Sequence, residues 1–244
     1  MSGIRVSLCG KSFPDASGNG TRQVLGELGF AAERGEFVAI LGPSGCGKTT
    51  LLNLIAGLDA AYEGEIALDA AAGNAAPDIG YVFQNPRLLP WRTVFENVCL
   101  VLNAPAGATA LVEKLLAEAG LTEFRDAYPE KLSLGQRRRA AIVRAFAIAP
   151  DLLLMDEPFV SLDGPTAERL RAMLLKIWNA RPTTVLFVTH DLDEAIALAD
   201  RVLVLSESPA SIVADVPIAV PRQERMAPAV LEEFRKRLRQ PEKL

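Results

Sequence analysis

Soft metal ligands are nearly missing from this chain of 244 residues, which holds three cysteines and a single histidine. Cys9, Cys46 and Cys99 are odd in number and widely scattered. That spacing excludes a disulfide framework and a Cys/His metal site, and it fits a reducing cytosol. Long apolar runs are missing too. No stretch of about 18 uninterrupted apolar residues occurs, so the chain is not expected to cross a membrane by itself. The first residues do not read as a secretory leader, because Arg5 and Lys11 interrupt a short strand-like run. Nor is positive charge in excess: 26 Lys and Arg stand against 30 Asp and Glu, a net charge of −4. A nucleic-acid partner gripped by a broad basic surface is therefore not expected. What is present, 50% hydrophobic and 23% charged residues, is the composition of an α/β protein with an ample core.

Periodicity places the elements. Ile4, Val6 and Leu8 alternate with other residues as in a half-buried strand. Pro14–Gly20 reads as a turn-rich loop, and 70–76 as a loop of small residues. Phe37–Leu41 is a continuous apolar run, the pattern of a strand covered on both faces. Lys48 to Ala56 reads as a helix with Gly57 as its C-terminal cap. Tyr81–Phe83 reads as a strand, and the pattern turns helical from about Asn85 to Ala149. Strand–helix alternation then resumes, with strands at 152–155, 185–188 and 202–205 and helices at roughly 165–180 and 191–199. Asp191 followed three residues on by Glu194 has the pattern of a capping box. Pro228 to Arg239 reads as an amphipathic helix. The expected fold is α/β, with a helical insert.

Two phosphate-binding devices are visible. Gly42-Pro43-Ser44-Gly45-Cys46-Gly47-Lys48-Thr49, with Thr50 next, fits G-x-x-x-x-G-K-[ST] between a strand and a helix. Its glycines let successive N–H groups curl toward phosphate oxygens, and the helix N-terminus favours the anion. Lys48 reaches the β- and γ-phosphates, and the Thr49 hydroxyl is a ligand for Mg²⁺. Asp156 and Glu157 end an apolar strand at the sheet edge where ligands bind. Asp156 is placed for Mg²⁺, and Glu157 for general-base work on a water. Gln84 and His190 also follow strands, the first able to touch Mg²⁺ or water and the second the γ-phosphate. The second device is Ser133-Leu134-Gly135-Gln136, which opens a helix carrying Arg137, Arg138, Arg139 and Arg144. Ser133 caps that helix, and the N–H groups around Gly135 offer another anion site. One nucleotide does not need two such cradles from one chain, so the second is expected to serve a nucleotide held by another copy.

In this order the pieces resemble the ATP-binding subunits of ABC transporters, over about residues 4 to 215. GPSGCGKTT is similar to the Walker A loop, Gln84 to the Q-loop residue and LSLGQ, from Leu132, to the family signature. LLLMDEP is similar to Walker B, Ser161-Leu162-Asp163 to the D-loop, and His190 to the switch histidine. Phe13 falls where the family places an aromatic that stacks on adenine. The resemblance implies a P-loop NTPase with a mainly parallel central sheet, an N-terminal antiparallel β subdomain and an inserted helical subdomain. It implies an ATP-binding domain over 1–220, with the helical subdomain at about 86–149, and a C-terminal tail over 221–244. It also implies ATP and Mg²⁺ bound between two copies or related subunits. Contacts to the nucleotide would then include Ser133, Gly135, Gln136 and Asp163.

QNPRLLPWRTVFENV, with Pro90-Trp91, is similar to the segment after the Q-loop in nitrate, sulfonate and taurine importers. That likeness implies transmembrane permease partners, a periplasmic solute-binding protein served indirectly, and a peripheral place on the cytoplasmic face of the membrane. Two other readings fit less of the chain. A soluble ABC ATPase working on nucleic acid or ribosomes usually carries coiled-coil insertions or metal cysteines. A P-loop kinase leaves LSLGQ, Glu157 and His190 unexplained. One departure stands out: the signature usually has glycine at position 134, where this chain has Leu134. A side chain there narrows the backbone torsions and the approach to phosphate.

Overall fold

The computed structural model describes residues 2–15, 20–69, 76–102 and 105–239. The turn expected at Pro14–Gly20 and the loop expected at 70–76 lie largely outside the described residues. In chain order the elements are β1 (Ser2–Pro14), β2 (Thr21–Leu25), β3 (Leu28–Glu33), β4 (Phe37–Leu41), α1 (Lys48–Ile55), β5 (Glu63–Leu68) and β6 (Ile79–Val82). There follow α2 (Val94–Cys99), α3 (Pro105–Glu118), α4 (Leu134–Ala147), β7 (Leu152–Asp156), α5 (Gly164–Ala180) and β8 (Thr184–Thr189). The last four are α6 (Leu192–Leu198), β9 (Arg201–Leu205), β10 (Ile212–Pro217) and α7 (Pro228–Arg239). Contacts divide the chain into two compact units, Met1–Ala76 with Thr184–Leu244, and Pro77–Thr183.

The first unit holds the β-rich part. β1 pairs antiparallel with β2, β3 and β5. β4 lies between β8 and β9 and runs parallel to both, while β10 returns antiparallel to β9. Every residue of β4 and of β8 is buried, which is why both read as unbroken apolar runs rather than as alternations. Phe37 and Phe187 meet edge to face, with ring centroids 6.2 Å apart. Fully buried side chains of this size each contribute about 1.5–3 kcal/mol. α7 lays Phe234 and Leu238 into the unit, and Arg235 grips Asp193 of α6 with two hydrogen bonds, at 2.9 and 2.5 Å.

α6 departs from its expected cap. The Asp191 carboxylate accepts from the N–H groups of Asp193 and Glu194. Glu194 does not reach back to the cap residue, because its carboxylate accepts instead from the Thr189 hydroxyl at 2.7 Å. A buried hydroxyl at the end of β8 outcompetes the reciprocal bond.

The second unit pairs β6 parallel to β7, from Ile79 opposite Leu152 to Val82 opposite Met155. The β6 strand begins before Tyr81 and releases Phe83. Helices do not start at Asn85 but at Val94, because Pro86 and Pro90 keep the intervening segment out of the α-region. α4 is the centre, touching α2, α3, α5 and β6. Its inward face is largely small, with Ala140, Ala141 and Ala145 beside Ile142, Val143 and Phe146, which lets neighbours approach closely.

The irregular segment before α2 is fastened by Asn97, which is fully buried. Its amide donates to the carbonyls of Leu89, Arg92 and Thr93, and its Oδ1 accepts from Leu89 N at 2.7 Å. Replacing it with leucine takes away the side-chain partner of Leu89 N and Arg92 O, while Thr93 O and Leu89 O keep backbone bonds. Asn97→Leu is expected to destabilise the protein by about 3 kcal/mol in chemical denaturation. A loss below about 0.5 kcal/mol, the size of a surface change, would show that the segment does not depend on this side chain.

Candidate functional site

In the first unit, β4 hands the chain directly to the loop at 42–47. Gly45 and Gly47 have φ of 78° and 114°, a region that side chains rarely enter. A Cβ on Gly47 would also stand 2.7 Å from Leu25 and 2.9 Å from Val24, so β2 packs straight onto the loop. α1 then starts at Lys48 with no side chain capping its first turn and no acidic residue in that turn. The positive end of the helix dipole at that terminus favours an anion. Lys48 is buried, and its Nζ donates to the carbonyls of Gly42 at 2.9 Å and Pro43 at 2.8 Å. The loop's own carbonyls therefore hold the ammonium. Pro43, Ser44, Gly45 and Thr49 are exposed, Thr50 is half-buried and Cys46 is buried.

Two further residues of the site belong to this unit. Phe13 lies on β1 opposite Arg22 of β2 and is 37% exposed. His190 follows β8 and is exposed. The turn around it is fastened by the Thr189 hydroxyl, which accepts from Asp191 N at 3.0 Å and donates to Glu194.

The second unit carries the carboxylates and the Ser/Gly turn. Asp156 ends β7 and is 4% exposed. Glu157 follows with φ of 44°, a left-handed conformation unusual for a long side chain. Its Oε2 accepts from Gln84 Nε2 at 3.3 Å, so two of the expected residues meet directly. The turn beyond them is anchored by Arg138, itself buried, whose Nη1 donates to Pro158 O at 3.1 Å. Asp163 caps α5 through Thr166 N at 3.0 Å. Hydrogen bonding from Thr166 holds the Asp163 carboxyl below its ordinary range.

Ser133 and Gln136 form a reciprocal capping box at the start of α4, with bonds of 3.2 and 2.8 Å. Arg137 N to Ser133 O is the first intrahelical bond, so the N–H groups of Leu134 and Gly135 precede it as leading donors. Leu134 has an ordinary negative φ as the first residue of α4, so the backbone does not require glycine there. Its side chain joins Gln84, Arg87, Leu88, Pro90 and Arg137 around a cleft of about 740 Å³. Gly135 is the constrained position: a Cβ there would sit 2.7 Å from Thr166 Cγ2 of α5.

Sequence reasoning left roles unassigned for Lys11, Asn97 and Arg144. Lys11 is buried against Asp59. Arg144 donates to the carbonyls of Pro86 and Arg87 just past Gln84. Asn97, a polar residue on an apolar helix face in VFENVC, was the one with a readable signal.

Comparison with known proteins identifies the family. Residues 25–160 match the family model described as ABC transporter. An aliphatic sulfonates import ATP-binding protein of Xanthomonas axonopodis pv. citri is 42% identical, with 91% of this chain and 88% of that protein aligned. Another from Bacillus cereus is 39% identical over 97% of this chain and 95% of the relative. Among solved structures, a dimeric bacterial ABC transporter cassette superposes with a TM-score of 0.77 at 30% identity. It covers 89% of this chain and all of that one. A dimeric post-hydrolysis state of an ATP-binding cassette bound to ADP and Pi gives 0.74 at 29% identity, with the same coverage.

The close approach of Gly135 to Thr166 is open to test. Gly135→Ala is expected to cost about 1–3 kcal/mol through overpacking. Adding Thr166→Ser, which removes the offending methyl, should restore most of it in thermal or chemical denaturation. Equal stability of the single and double variants would contradict the contact.

Proposed function

The chain belongs to the ABC transporter family of ATP-binding proteins, and from that membership we propose that it powers import of a small anion. An aliphatic sulfonate or a related oxyanion fits best, since import of sulfonates is what the names of the similar proteins state. The observation that carries the catalytic part of the reading is the pair of helix-terminus cradles in one chain, at α1 and at α4. The chain binds and hydrolyses ATP as a member of this family, and it works as a dimer. In this reading the loop from Gly42 to Thr50 of one subunit holds the triphosphate, and Ser133, Gly135 and Gln136 of the other close over it.

Roles follow from chemistry. Lys48 trades the Gly42 and Pro43 carbonyls for phosphate oxygens, which are stronger acceptors for an ammonium. Phe13 stacks on the adenine. The carboxylate of Glu157, aimed by its left-handed backbone and by Gln84, takes the proton of the attacking water. His190 donates to the γ-phosphate, and Asp163 lines the seam between subunits. Thr49, Gln84 and Asp156 offer the hard oxygen donors that suit Mg²⁺ and would hold it. When bound, the ion supplies positive charge against the β- and γ-phosphates.

Permease subunits are the natural partners of an importer ATPase. The cleft around Gln84, Arg87 and Leu134, with the 68% exposed Trp91 on the same segment, is the surface we assign to them. Stacking of Tyr81 on Phe83, and of Arg87 over Phe83, stiffens the mount of that segment. The protein then sits peripherally on the cytoplasmic face of the membrane, and a periplasmic solute-binding protein delivers the anion from the other side.

Glu157→Gln tests the sandwich. It should lower turnover by about 10²–10⁴-fold and accumulate an ATP-bound dimer on size exclusion. A variant that stays monomeric with ATP would contradict closure around nucleotide.

A further inference from the structure

Lys11 has no part in the chemistry above, and it is buried as few lysines are. Its side chain is 3% exposed, a state lysine adopts only when paired. Nζ lies 2.6 Å from Asp59 Oδ2 and donates to Ala61 O, also at 2.6 Å. The pairing draws the Asp59 carboxyl below its ordinary range, chiefly through that hydrogen bond. Asp59 and Ala61 belong to the segment that leaves α1, so Lys11 ties β1 to the far end of the phosphate-loop helix. The same ammonium stands 4.5 Å from the ring centroid of Phe13.

The strand is irregular at this point. Lys11 lies opposite Leu25 but Ser12 lies opposite Gln23, which makes Val24 an extra residue on β2. Bulges of this kind re-aim side chains. Val24 and Leu25 are also the residues packed against Gly47. One local irregularity therefore sets the Phe13 ring, the buried cation and the tightest glycine of the phosphate loop in a fixed relation.

We propose that Lys11 is a positioning residue for the nucleobase: it fixes the Phe13 ring and leaves its outer face ready for a purine. Two effects act together. The cation, held by Asp59 and Ala61, pins the ring from one side through the attraction of positive charge for the π face. It also draws electron density toward that side, which leaves the opposite face a better stacking partner for an electron-rich adenine. Lys11 thus contributes base-dependent affinity without touching a phosphate. This rests on the reading of Phe13 as the base-stacking residue.

The test compares two ligands in the full chain, ATP and inorganic tripolyphosphate, which shares the phosphates and lacks the base. Lys11→Met should weaken ATP binding about fivefold and leave tripolyphosphate binding unchanged. Lys11→Arg, which keeps the cation, should retain most ATP affinity. In the Phe13→Ala background, Lys11→Met should add no further loss. Should Lys11→Met fail to fold, Asp59→Asn loosens the same anchor and should shift ATP and not tripolyphosphate. Equal loss for both ligands would overturn the proposal, since Lys11 would then act on the phosphate loop. Unchanged ATP binding in Lys11→Met, alongside a loss in Phe13→Ala, would overturn it and spare the stacking role of Phe13. Unchanged ATP binding in Phe13→Ala would remove the stacking reading itself.

Discussion

Backbone N–H groups at a helix N-terminus are the interaction on which the rest of this protein depends. A triphosphate concentrates charge on a short chain of oxygens, and donors must meet it at matching density. Successive peptide N–H groups do so without the entropy cost of ordering long side chains. The start of α1 is left without a side-chain cap, which would be a defect in an ordinary helix and is what the proposed phosphate site needs. Glycine at 47 follows from the same demand, because the loop must curl through positive φ while β2 presses on it. The start of α4 solves a different problem. Ser133 and Gln136 cap each other, which stabilises the helix, yet the donors of Leu134 and Gly135 still lead it.

In the second unit the chain spends polar side chains on fastening irregular backbone. Asn97 holds the segment before α2, Arg144 the carbonyls after Gln84, and Arg138 the turn after Glu157. Each donates to backbone carbonyls of irregular segments, and leaving such a group unsatisfied where it is buried costs about 1–3 kcal/mol. Glu157 stores strain of about 1 kcal/mol or more in its left-handed backbone. The neighbouring Arg138–Pro158 bond is what keeps that turn from relaxing. A rigid turn would suit the general-base role proposed for Glu157, since such catalysis depends on hydrogen-bond reach.

Much of this was legible in the sequence because the motifs are local. The run Phe37–Leu41 followed by a glycine loop gives strand, turn and helix within a few residues, and β7 ending in Asp156 and Glu157 is equally compact. Long-range terms were not legible. The sequence has no mark for Glu194 bonding Thr189 instead of closing a capping box, because that choice depends on where β8 ends. Lys11 looked like an ordinary strand lysine, and its burial is set by a partner 48 residues away at Asp59. Leu134 shows the converse: it departs from the family pattern, yet its torsions are those of any first helical residue. The crowding that demands glycine falls one residue later, at Gly135, where α5 comes close.

In the proposed arrangement two subunits share one nucleotide, with Lys48 from one and Ser133 from the other. The most direct measurement mixes Lys48→Ala protein with Ser133→Arg protein, each inactive alone, and follows ATP hydrolysis. A mixed dimer carries one composite site with both residues intact, so activity should return in the mixture. A mixture as inactive as its two parents would contradict the shared site.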